Sequence, residues 1–187
     1  MRWEQLFSEL EAEAGELAQR DRDAEIADRT RAELARTRWA DRVRASTGAT
    51  VRLRLLGADL VEGTVLQVGA DWLLLQAGAN DVLVPAHAVV GAEGVGAATE
   101  PTAAGALATP TWAAAWRVLA RDRASVRVVR AGGSTVHGVP MRVGADFVEL
   151  DPGLGETGGS GPGPGPVLVP YAAITAAYVT RRTGGSR

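Results

Sequence analysis

Apolar Val51, Leu53 and Leu55 alternate with Arg52 and Arg54, which is the period-two pattern of a half-buried strand. A longer apolar run over 60–68 predicts a second strand, with Gly63 as a place for a sharp bend. Residues 72–76, 82–85 and 89–92 supply three more short strands, the last two across a tight corner. Ahead of them, 37–45 reads as a helix that stops at Gly48, a C-terminal cap. A second helix is predicted after Thr111, an N-cap residue, with Trp112, Trp116 and Leu119 on one face. At the start of the chain Trp3, Leu6, Phe7, Leu10, Ala14 and Leu17 form an apolar stripe at helical spacing. The stripe suits a partner helix or the surface of a barrel, because so many large apolar side chains make a poor solvent face.

The strand pattern occurs twice. Residues 51–75, VRLRLLGADLVEGTVLQVGADWLLL, align without a gap on 126–150, VRVVRAGGSTVHGVPMRVGADFVEL, with ten of 25 positions identical. A second shared block, Val-Leu-Val-Pro at 82–85 and 167–170, follows at an offset larger by ten residues. The extra residues lie in a Gly/Pro tract at 151–166, which reads as a loop grown from a hairpin turn. The predicted organisation is therefore an N-terminal charged helix at 1–36, a first module at 37–93 and a linker at 94–110. A second module at 111–179 and a basic tail at 180–187 complete it.

Composition narrows the chemistry. The chain has no Cys, which excludes disulfides, thiolate metal sites and Cys nucleophiles. Its two His, His87 and His137, do not match each other across the repeat. All basic residues are Arg. Residues 1–28 hold nine acids against three Arg, a net −6, whereas 29–54 hold eight Arg against two acids, a net +6. Residues 117–130 carry a further +4. Such segregation speaks to partners rather than to fold. The start of the chain is acidic, without the basic end and apolar run of a secretory leader, and a cytoplasmic protein is expected.

One helix followed by five short bent strands resembles the Sm-like fold, an SH3-type small barrel, over 37–93 and 111–179. The resemblance implies two five-stranded barrels, each preceded by a helix, plus a long N-terminal charged helix: a mainly β protein. Sm proteins read uridine with an Asp-x-aromatic-Met-Asn stretch and an Arg-Gly corner. This chain has Gly69-Ala70-Asp71-Trp72-Leu73 and Pro85-Ala86-His87-Ala88 there, so uridine specificity does not carry over. The opening RWEQLFSELEAE and VGADFVEL also resemble a group of actinobacterial proteins sometimes labelled Fis-family transcriptional regulators. That label implies a C-terminal helix-turn-helix, where this chain reads strand, corner, strand.

Repeated Arg clusters are the leading functional candidates. Arg38, Arg42, Arg44, Arg52 and Arg54 flank the helix-to-strand junction of the first module, and Arg117, Arg121, Arg123, Arg127 and Arg130 that of the second. They predict phosphate contacts to RNA, or less favourably DNA, with strong salt dependence; a solvated helix face with local ion pairs is the plainer alternative. The second functional expectation is a protein–protein adaptor or assembly scaffold, self-association included, working through sheet edges and through Trp3, Leu6, Phe7, Leu10 and Leu17. Asp71 and Asp146 read as turn residues, Trp72 and Phe147 as core aromatics. With no phosphate loop, nucleophile elbow or His cluster, the expectation is a non-enzyme without catalytic residues, metal or cofactor.

Overall fold

The computed structural model describes residues 2–57, 60–100, 109–153 and 165–180; in the first helix the side chains of residues 2, 4–12, 14, 16–18 and 21 lie outside that description. The chain forms two units, 1–38 and 39–187.

The first unit is helix α1 (Arg2–Arg36). Its surface is knitted by one-turn pairs: Arg29 to Glu25 at 2.8 Å, Arg31 to Asp28, and Gln19 to Asp23. Every described side chain of α1 is exposed, Trp3 at 72% among them. The side chains of the rest of the expected docking stripe, Leu6, Phe7, Leu10, Ala14 and Leu17, lie outside that description, and 101–108 of the linker, 154–164 of the Gly/Pro tract and 181–187 of the basic tail lie outside the described residues altogether.

The second unit begins with α2 (Trp39–Ala45) and continues through β1 (Thr50–Leu55), β2 (Leu60–Val68), β3 (Trp72–Ala77), β4 (Asn80–Pro85) and β5 (Val89–Glu93). Then come α3 (Trp112–Arg121), β6 (Val126–Arg130), β7 (Thr135–Val143), β8 (Phe147–Asp151), β9 (Val167–Pro170) and β10 (Ile174–Thr180). Thr111 caps α3 by accepting from the Ala114 amide, and Gly48 takes a φ of +84° after α2. One short 3-10 turn makes each corner, Ala86–Ala88 between β4 and β5 and Tyr171–Ala173 between β9 and β10.

The expectation of two separate barrels is overturned. The described strands form a single ten-stranded antiparallel sheet in the order β5-β1-β2-β3-β4-β10-β6-β7-β8-β9. What joins the halves is β4 paired with β10, from Ala177 opposite Leu83 to Thr180 opposite Asn80. Neither core closes on itself. The first apolar cluster, built on Val51, Leu53, Val65 and Leu75, takes in Val129 and Ala176 from the second half. The second, built on Trp116, Val128 and Leu150, takes in Trp72 and Leu83 from the first. Of the expected N-terminal helix, the side chains of 22–36 are exposed throughout. Unpaired strand edges explain the correction, because a backbone edge carrying apolar side chains is stabilised by pairing with the nearest matching edge, here one on the same chain.

Within the sheet the repeat is kept residue by residue. Val51 lies opposite Gly63 and Val126 opposite Gly138. The register slips between Val65 and Gln67 in one half and between Pro140 and Arg142 in the other, the same place in the repeat. Both glycines are forced by close approach. A Cβ on Gly63 would sit 2.5 Å from the Gln76 carbonyl oxygen, and one on Gly138 2.6 Å from that of Asp151.

Candidate functional site

Six of the ten predicted Arg side chains, those of Arg42, Arg44, Arg52, Arg54, Arg121 and Arg127, have partners within the chain. Arg38 belongs to the first unit. Arg42 donates twice to the Gly96 carbonyl, at 3.1 and 2.9 Å, and Arg44 is half-sequestered between the Asp41 carboxylate at 2.8 Å and the Glu100 carbonyl at 3.1 Å. These two fasten the segment after β5 onto α2, and just past that helix Ser46 Oγ accepts from the Gly96 amide. Arg52 pairs with Glu62 at 2.9 Å and with Glu93 at 3.3 Å, and Arg54 joins Glu93 at 3.0 Å. The guanidinium of Arg54, and then that of Arg52, holds the Glu93 carboxyl below the usual carboxylate value, and the Arg52 pKa is raised in return, first by Glu62.

In the second half Arg121 pairs with the neighbouring Asp122, and Arg127 lies over the Tyr178 ring with 3.9 Å to its centre. Arg117 and Arg123 are exposed, Arg123 on a positive φ of 47° just past α3, and Arg130 is half-buried. His87 and His137 are exposed. Among the described residues no group of acidic or His side chains is placed to hold a metal.

Asp71 and Trp72 have a role that their turn sequence does not announce. Asp71 Oδ1 accepts from the Trp112 amide at 2.7 Å, and Trp72 Nε1 donates to the Pro110 carbonyl at 2.8 Å. Together they anchor the N-terminal turn of α3 on the first half of the sheet, a carboxylate at a helix N-terminus being favourable. The backbone turn itself recurs: Gly69 to Trp72 and Gly144 to Phe147, then Ala86 to Asp71 and Tyr171 to Asp146, all between 2.7 and 2.9 Å. The helix anchor does not recur. Among the described residues no helix amide donates to Asp146, which is exposed.

The same contrast runs along the strand edges. Leu83, where β4 meets β10, is 5% exposed; its repeat equivalent on β9, Leu168, is 53% exposed. Thr175 on β10 is 1% exposed; its equivalent on β5, Val90, is 61% exposed. Ala177 is buried and its equivalent Ala92 is open. β5 and β9 are the two ends of the sheet. Beside β5, a groove of about 380 Å³ runs to α2, lined by Trp39, Val43, Val89 and Val90. Trp39 opens α2 as Trp112 opens α3, but it is 44% exposed whereas Trp112 is buried.

No protein-family model matches the chain, and no curated protein matches it either. No described helix is long and apolar enough to cross a membrane. Sequence reasoning named sheet edges as a class but not these residues. The signal available was the repeated Val-Leu-Val-Pro block, because two copies of a pairing strand need two partners and the described residues hold one such junction.

Proposed function

We propose that the chain is a non-enzymatic assembly scaffold whose working surfaces are the end strands β5 and β9. One observation carries the reading: apolar positions buried where β4 meets β10 are exposed at both outer ends. An end strand offers unpaired amides and carbonyls together with apolar side chains, which is the requirement for binding by strand addition. The Arg residues support this reading over a nucleic-acid surface. Arg42, Arg44, Arg52 and Arg54 spend their donors on carbonyls and carboxylates of the same chain, and Arg127 on Tyr178. Phosphate binding would have to displace those partners first.

The test is site-specific photocrosslinking in the native cell, with the photoreactive residue at 90, at 168 or at 121. Expected are protein adducts at 90 and 168 and no nuclease-sensitive adduct at 121. Nuclease-sensitive adducts at 121 together with no protein adduct at 90 or 168 would overturn the scaffold reading in favour of nucleic-acid binding.

A further inference from the structure

From the repeat we infer that the partner of these edges is a second copy of this chain, joined head to tail with β9 of one copy on β5 of the next. This rests on the scaffold reading and names its partner. The argument is continuity with a junction already present. Strands of the β4 and β9 type share the block Val-Leu-Val-Pro, and both lead into a 3-10 corner. Strands β5 and β10 follow that corner and pair with β1 and β6 in one register, Leu53 opposite Ala92 and Val128 opposite Ala177. Both even slip at the same place, between Arg54 and Leu55 and between Ile174 and Ala176. Each end of the sheet is therefore one half of a junction whose complete form is β4 on β10.

The internal junction also fixes the register. Ala177 opposite Leu83 transposes to Ala92 opposite Leu168 of the next copy, and Tyr178 opposite Val82 to Glu93 opposite Val167. Leu168 then comes under cover as Leu83 is covered. At the internal junction α3 covers Leu83, with Trp112 in the same cluster. At the outer junction α2 of the next copy stands in that position, with Trp39 at its first turn and the groove of about 380 Å³ beside β5 still open. Leu168 and Val90 at 53% and 61% exposure, and Trp39 at 44%, are the surface this contact buries. The two surfaces differ, so the contact is heterologous, and copies add in one direction until the ring closes or a filament grows.

The chain has no cysteine, so a disulfide reads the register directly. Directly opposed antiparallel residues have Cα atoms about 4.5 to 5.5 Å apart, within disulfide reach. Two purified full-length variants, Ala92→Cys and Leu168→Cys, are mixed at micromolar concentration under mild oxidation. The expected result is a mixed disulfide dimer that forms at least ten-fold faster than the mixed dimer of Leu168→Cys with Met141→Cys, an exposed control on β7. The pair Val90→Cys with Leu168→Cys, two residues out of register, crosslinks more slowly than Ala92→Cys. Sedimentation of the unmodified chain shows species larger than a monomer, and Leu168→Arg returns it to monomer. A monomeric unmodified chain whose mixed dimers form at the control rate overturns the inference. In that case photo-adducts at 90 and 168 with other proteins leave the scaffold reading standing, and nuclease-sensitive adducts at 121 alone remove both.

Discussion

The middle of the sheet and its two ends are built from the same strands, yet only the middle is finished. At β4 and β10 the strands are paired, Leu83 and Ala177 are buried, and a helix lies over them with its first turn held by Asp71. At β9 and β5 the equivalent Leu168 and Ala92 are exposed, and Asp146 holds no helix among the described residues. Within identical tetrapeptides at 82–85 and 167–170 the Leu thus ends in opposite environments, while Val84 and Val169 are both buried. Burial here is a property of what arrives alongside a strand rather than of the strand's own sequence.

The largest test of that comparison uses the helix-opening tryptophans. Trp112→Ala removes a buried ring from the junction cluster and should cost about 3–5 kcal/mol of stability. Trp39→Ala, at the open end, should cost less than about 1 kcal/mol in chemical denaturation of dilute protein, because its ring keeps much of its contact with water. Similar losses for both would mean that the open end is already complete. Next, Leu83→Ala should cost about 2–5 kcal/mol and Leu168→Ala no more than about 0.5 kcal/mol in the same assay.

Where the halves are alike, equal effects are expected. Gly63→Ala and Gly138→Ala each drive a Cβ into a backbone carbonyl, and each should destabilise by about 1–3 kcal/mol, read as a lowered denaturation midpoint. A smaller effect separates the halves again. Asp71→Ala loses a bond to the first turn of α3 and should cost about 1 kcal/mol, whereas Asp146→Ala should be close to neutral.

The smallest expected effect depends on pH. Arg54 and Arg52 lower the Glu93 pKa, so the cluster is intact at neutral pH and above the ordinary carboxylate range, and its contribution is lost as pH falls through the lowered value. Carboxyl chemical shifts of Glu93 should titrate below the ordinary range, and Arg54→Ala should bring them back toward it. The equivalent place in the second half holds Tyr178 against Arg127.

Much of the local structure was legible because it follows from spacing. Alternation at 51–55 gave a strand and Thr111 gave the start of α3, whereas Gly63, read as a bend, proves to be a close approach to the Gln76 carbonyl. The joining of the halves was not legible, because β4 on β10 is set by long-range edge pairing that leaves no mark on either segment's own pattern. For the same reason Asp71 looked like an ordinary turn residue: its partner, the Trp112 amide, lies 41 positions away. Charge counts over 29–54 showed an excess of Arg, but not that Arg42 and Arg44 reach the carbonyls of Gly96 and Glu100.

Backbone amide hydrogen exchange, followed as protein concentration is raised, tests the central claim most directly. The account predicts that amides of β4 and β10 are protected at every concentration, while the outward-facing amides of β5 and β9, those not bonded to β1 and β8, exchange fast when dilute and become protected as the ends pair. Fast exchange of those outward-facing amides at all concentrations, in purified protein and in native lysate alike, would contradict it.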